Sequence, residues 1–85
     1  MMELKDWGYG RKYNIKAVFS KFPHSTVIFR SFPDYYFIYT VRWSEQDPVV
    51  SREDLIQMEK IMNERLGLLE NYEKRVERRG RWKRQ

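Results

Sequence analysis

Apolar and polar positions alternate in three short runs between residues 13 and 43, and from residue 52 onward they recur at helical spacing. In the first run, Tyr13 to Phe22, the odd positions Ile15, Ala17 and Phe19 form an apolar row with Lys16 and Ser20 opposite. The second, Ser25 to Phe32, holds the consecutive strand formers Thr26, Val27, Ile28 and Phe29. The third, Tyr35 to Trp43, is made almost wholly of aromatic and β-branched residues. The breaks, Phe22-Pro23-His24-Ser25 and Phe32-Pro33-Asp34-Tyr35, place proline where a turn uses its fixed φ. This pattern predicts a three-stranded antiparallel meander over residues 13–43. Residues 1–12, with Gly8 and Gly10 flanking aromatic anchors, read as an irregular arm.

The register follows from which faces become uniform. A three-residue corner after Phe32 sets Val27 and Phe29 on one apolar face with Phe37, Tyr39, Val41 and Trp43. The opposite face then carries Lys16, Val18, Ile28, Arg30, Tyr36, Ile38, Thr40 and Arg42. A four-residue corner would leave Arg30 beside Phe37, which the uniform-face argument disfavours.

After a polar connector, Ser51 is placed to cap a helix whose first turn holds Glu53 and Asp54, with Val50 and Leu55 set for a hydrophobic staple. Leu55, Met62, Leu69 and Val76 recur every seven residues, and Met58, Ile61, Leu66, Leu68 and Tyr72 widen the stripe. One long helix over residues 51–79 is expected, followed by a basic tail at 80–85, giving an α+β fold of type βββα in a single domain. Gly67 interrupts the stripe and marks a possible bend. A straight helix of that length, about 42 Å at 1.5 Å per residue, outruns any eight-residue strand. Together with apolar Val18, Ile28 and Ile38 on the second sheet face, this argues for a homodimer.

Composition narrows the function. Three Trp, six Tyr and five Phe in 85 residues supply enough apolar bulk for a folded core. The absence of cysteine excludes disulfides, thiolate metal sites and thiol nucleophiles, and fits a cytoplasmic location. Neither a signal peptide nor a membrane-spanning run is expected. His24, the one histidine, falls in a predicted turn, and no phosphate loop or metal-spaced cluster occurs, so neither enzymatic activity nor a cofactor or metal is expected. The helical carboxylates Glu53, Asp54, Glu59, Glu64, Glu70 and Glu73, interleaved with Lys60 and Arg65, read as a solvated face.

Charge is segregated within the net +5. Residues 1–43 carry +4, residues 44–73 carry −5 and residues 74–85 carry +6. Lys74, Arg75, Arg78, Arg79, Arg81, Lys83 and Arg84 crowd into eleven residues, and a polyanion would relieve their mutual repulsion. Trp82 beside them can stack on a base. On the sheet, Lys16, Arg30 and Arg42 with Tyr36 would form a cationic face carrying a stacking ring. These residues point to a non-enzymatic nucleic-acid-binding protein, with DNA and RNA equally open. The alternative is a protein-interaction module, a small regulator or inhibitor, docking a protein partner through its long helix and acidic segment. Across residues 13–76 the order of three strands and a helix is similar to the small Alu-domain proteins of the signal recognition particle. That family's initial helix has no counterpart here, no specific motif is shared, and no residue role carries over.

Overall fold

A computed structural model describes the backbone of residues 2–79 and the side chains of residues 2–76. Four strands, β1 (Leu4–Tyr9), β2 (Ile15–Phe19), β3 (Phe22–Ser31) and β4 (Tyr36–Arg42), form one antiparallel sheet in chain order. Two helices follow, α1 (Arg52–Arg65) and α2 (Leu69–Arg79). The α+β class stands, but three strands and one long helix become four strands and two helices. The βββα order on which the Alu-domain likeness rested is therefore replaced.

The extra strand is the segment read as an irregular arm. Leu4 pairs with Phe19 and Trp7 with Ala17, and the register slips by one residue between Leu4 and Asp6. That bulge breaks the period-two alternation by which a strand is recognised in sequence. It allows Leu4 and Trp7, three positions apart, both to pack on the core.

The helix break follows from backbone geometry at Gly67. Its φ of +76° lies in the left-handed region, which a glycine enters without steric cost. Leu68 N donates to Asn63 O at 2.7 Å and Gly67 N to Glu64 O at 3.1 Å, a complete Schellman closure of α1. The chain then turns, and Tyr72 of α2 is buried with its ring 5.8 Å from that of Tyr35. At its start α1 is held as anticipated. Ser51 Oγ accepts from Asp54 N at 3.1 Å, and Asp54 Oδ2 accepts from Ser51 N at 2.9 Å. With the helix broken, the length argument for a second subunit loses its premise.

Two corners differ from expectation. Phe19 pairs with Phe22, so the first turn is Ser20-Lys21, and Pro23 and His24 lie inside β3. Between β3 and β4, Ser31 pairs with Tyr36 and Arg30 with Phe37, so the connection has four residues. This is the register that the uniform-face argument disfavoured. A bulge reconciles it: Phe29 pairs with Ile38 but Ile28 with Thr40, leaving Tyr39 as the extra residue of β4. Tyr36 and Ile38 therefore turn to the core, while Val41 keeps its expected side. Tyr39 and Trp43, expected inside, are about half exposed.

Ile15, Ala17, Phe19, Val27, Phe29, Met58 and Met62 are essentially inaccessible and form the centre of the core. Among them α1 buries two polar side chains. Asn63 Oδ1 accepts from Tyr36 N and Asn63 Nδ2 donates to Tyr36 O, both at 2.8 Å. Glu59 Oε2 accepts from Ile38 N at 2.7 Å, and its Oε1 accepts from the Tyr72 hydroxyl at 2.8 Å.

Asn63→Ala would strand a buried donor and acceptor of Tyr36. At about 1–3 kcal/mol per unsatisfied group, a loss of roughly 2–4 kcal/mol is expected in urea unfolding, against almost none for the exposed Gln57→Ala. A second expectation concerns acid. Burial raises the Asp54 pKa, but hydrogen bonds from Ser51 and Lys21 outweigh it and hold the carboxyl below its usual value. A depressed carboxylate contributes stability that is fully present above the unfolded value of about 3.9 and lost as pH falls through the folded one. The stability difference between wild type and Asp54→Asn, followed by urea unfolding from pH 7 down to 2, is expected to shrink below about pH 4.

Candidate nucleic-acid interface

The helices cover one face of the sheet, and the basic residues gather on the other. Lys16 of β2, Ile28 of β3 and Thr40 of β4 form one cross-strand row, and Thr26 and Arg42 are partners in the next. Arg30 stands two residues along β3 from Ile28. A cleft of about 320 Å³ opens here, with Lys16, Arg30 and Arg42 in its walls and Ile28, 8% exposed, beneath them. Arg11, from the β1–β2 connection, adds a fourth cation. Among the described residues no carboxylate lines the cleft.

The sequence-predicted sheet residues divide accordingly. Lys16, Arg30 and Arg42 come together, but Tyr36 does not join them. It is 9% exposed, and its hydroxyl donates to Tyr13 O at 3.1 Å. Burial first, and then neighbouring Tyr9, raise its phenol above the ordinary value. The ring that does reach the outer face is Tyr39, 53% exposed, with the Arg30 guanidinium 3.5 Å from its centroid. Sequence reasoning missed Tyr39 because strict alternation places it with Val41. The four-residue corner turns Tyr36 and Ile38 inward and leaves Tyr39 outward, and the bulge breaks its alternation with Val41. Ile38, invoked for an apolar dimer face, lies with the core instead, and Ile28 lies under the cations.

Arg11 was missed as well. It sits in the connection Gly10–Asn14, closed by Gly10 N donating to Asn14 O at 2.6 Å and Asn14 N to Arg11 O at 2.9 Å. Lys12 and Tyr13 both have positive φ, 53° and 64°. Left-handed backbone costs a non-glycine residue roughly 1–2 kcal/mol. The bond from the Tyr36 hydroxyl to Tyr13 O helps to hold this connection in place.

Residues 3–77 match a family described as "Uncharacterised protein YuzH". The chain belongs to the YuzH family. No curated protein and no solved structure matches it. In this YuzH chain the match takes in the whole sheet, the cleft and α1, and stops before Arg78.

The basic tail is only partly in view. Lys74 lies 3.8 Å from Glu70 in an exposed pair one helical turn apart, a weak contact. Arg75 is tied to Asp34 in the β3–β4 corner at 3.2 Å, beside the bond from Asn71 Nδ2 to Asp34 O. The side chains of Arg78 and Arg79, and Arg81, Trp82, Lys83 and Arg84 altogether, lie outside the described residues.

The acidic segment is also less external than its helical spacing implied. Asp54 and Glu59 are buried, as is Asp47, whose carboxylate accepts from His24 N at 3.0 Å and from Ser25 Oγ. Among the described residues no group of His, Asp and Glu is disposed to hold a metal ion, and no helix is long and apolar enough to cross a membrane.

Four converging cations without a lining carboxylate repel one another in the free protein. Replacing Lys16 or Arg42 with Gln is therefore expected to leave the melting temperature unchanged or raise it, as measured by circular dichroism at low salt. A clear fall would mark these residues as structural.

Proposed function

We propose that this YuzH-family chain is a non-enzymatic nucleic-acid-binding protein whose principal contact surface is the outer face of its sheet. The supporting observation is the convergence of Arg11, Lys16, Arg30 and Arg42 around an exposed tyrosine with no carboxylate among the lining residues. Cations so arranged neutralise phosphates and release their counterions. Arginine adds planar, bidentate contacts to phosphate oxygens. Asp47, Asp54 and Glu59 are buried and satisfy protein donors, while exposed Asp6 lines a neighbouring cleft that Lys16 also borders. The tail at 78–84 supplies further phosphate contacts in this reading, with the sheet as the primary site because the family match covers it.

Neutralising four phosphates gives a slope of log affinity against log salt of about −3 to −4, at roughly −0.7 to −0.9 per phosphate. The double variant Lys16→Gln, Arg42→Gln is expected to flatten that slope by roughly 1.5 to 2 and to weaken binding at least tenfold, about 1.4 kcal/mol. Removal of residues 80–85, which spares the Arg75–Asp34 contact, is expected to weaken binding by a smaller factor. Fluorescence anisotropy with labelled DNA and RNA oligonucleotides measures all three. A full-length chain that binds neither at about 50 mM salt would show the reading to be wrong.

A further inference from the structure

The cleft has more than charge. Its bulged strand places the Tyr39 ring at the surface, and the Arg30 guanidinium lies 3.5 Å from the ring centroid. Tyr39 follows the core-facing Ile38 at the β4 bulge, and its ring is about half exposed on the outer face. Lys16 and Arg42 line the same cleft, and Ile28 gives it an apolar floor. An anion site for free phosphate alone needs neither a ring nor an apolar floor.

We infer that the cleft takes an unpaired nucleotide of a single strand, with the base stacked on the Arg30–Tyr39 pair and the flanking phosphates on Lys16, Arg42 and Arg11. This rests on the nucleic-acid reading above and sharpens it: the ligand is single-stranded because a paired base has both faces covered by its neighbours in the helix. Aromatic rings and guanidinium planes both serve as stacking surfaces for splayed bases. Base stacking adds to phosphate neutralisation, so a chain with bases binds more tightly than one with the same phosphates and no bases. Arg30 is a platform residue as well as a cation. Its planar group does what a lysine ammonium at the same position cannot.

The test uses the full-length chain and three probes of equal length: a single-stranded oligonucleotide, an abasic strand with the same phosphates, and a duplex. Wild type is expected to bind the single strand about tenfold more tightly than the abasic strand, within the range measured for stacking on one aromatic side chain. Tyr39→Leu is expected to remove most of that advantage while leaving affinity for the abasic strand within about twofold, and Arg30→Lys, which keeps the charge but not the plane, is expected to lose a larger factor on the single strand than on the abasic strand. Tyr39 is half exposed and Arg30 is on the surface, so both variants are expected to keep the wild-type melting temperature. Equal losses on both strands in either variant, or a duplex that binds as tightly as the single strand, would overturn the base platform and leave phosphate binding standing. Failure of wild type to bind any of the three probes would overturn the nucleic-acid reading, and the platform with it.

Discussion

The outer edge of β4 carries backbone groups that need partners where the sheet borders the core. β4 is the last strand of the sheet, and Tyr36 and Ile38 have polar backbone groups that β3 does not reach. Such an edge next to a hydrophobic core costs about 1–3 kcal/mol per unpaired group, and when left exposed it recruits other strands. Helix α1 closes it with side chains. Asn63 mimics a neighbouring strand by pairing with both the N–H and the C=O of Tyr36. Glu59, one turn earlier, takes the N–H of Ile38 and reaches the Tyr72 hydroxyl of α2. Two polar residues four positions apart thus fix how α1 sits against the sheet and how α2 sits against α1.

Beyond that closure, the bulge of β4 brings a further residue to the core. Without the extra residue at Tyr39, a four-residue corner would place Tyr36 and Ile38 on one face and Val41 on the other. The bulge lets Tyr36, Ile38 and Val41 all serve the core. Tyr39, next to the inward Ile38, lies on the outer face beside Arg30.

Charge is sorted by the same geometry. A chain with twelve carboxylates could neutralise its seventeen Lys and Arg residues in many ways. Here three of those carboxylates are buried, where they accept hydrogen bonds from backbone groups, Ser25, Lys21 and Tyr72. Asp34 engages Arg75, an exposed-to-intermediate pair worth little by itself. The outer sheet face keeps its cations and gains no acidic neighbours in the cleft. Its positive character is therefore more concentrated than a net charge of +5 over 85 residues implies.

Much of this was legible in the sequence wherever a local rule acts alone. The strand character of residues 15–42 came from alternation and β-branched or aromatic content. The start of α1 came from Ser51 as a cap with acidic Glu53 and Asp54 in the first turn, and the gathering of Lys16, Arg30 and Arg42 on one face came from period-two spacing. Gly67 was recognised as a possible bend because a glycine inside a helix is costly; its left-handed backbone is seen only in the structure. What alternation could not reveal was a change of phase. The bulges at Lys5 and Tyr39 each shift the inward face by one residue, hiding β1 and separating Tyr39 from Val41, and the four-residue corner sends Tyr36 inward. Glu59 and Asn63 each directly follow a core methionine, Met58 and Met62, yet their polarity reads as solvent-facing until the strand groups they satisfy are in place. Side-chain periodicity is a property of a short stretch of chain and can be read from it. The phase of a bulged strand and the burial of a polar side chain are decided by partners on other elements, and only the tertiary structure brings those together.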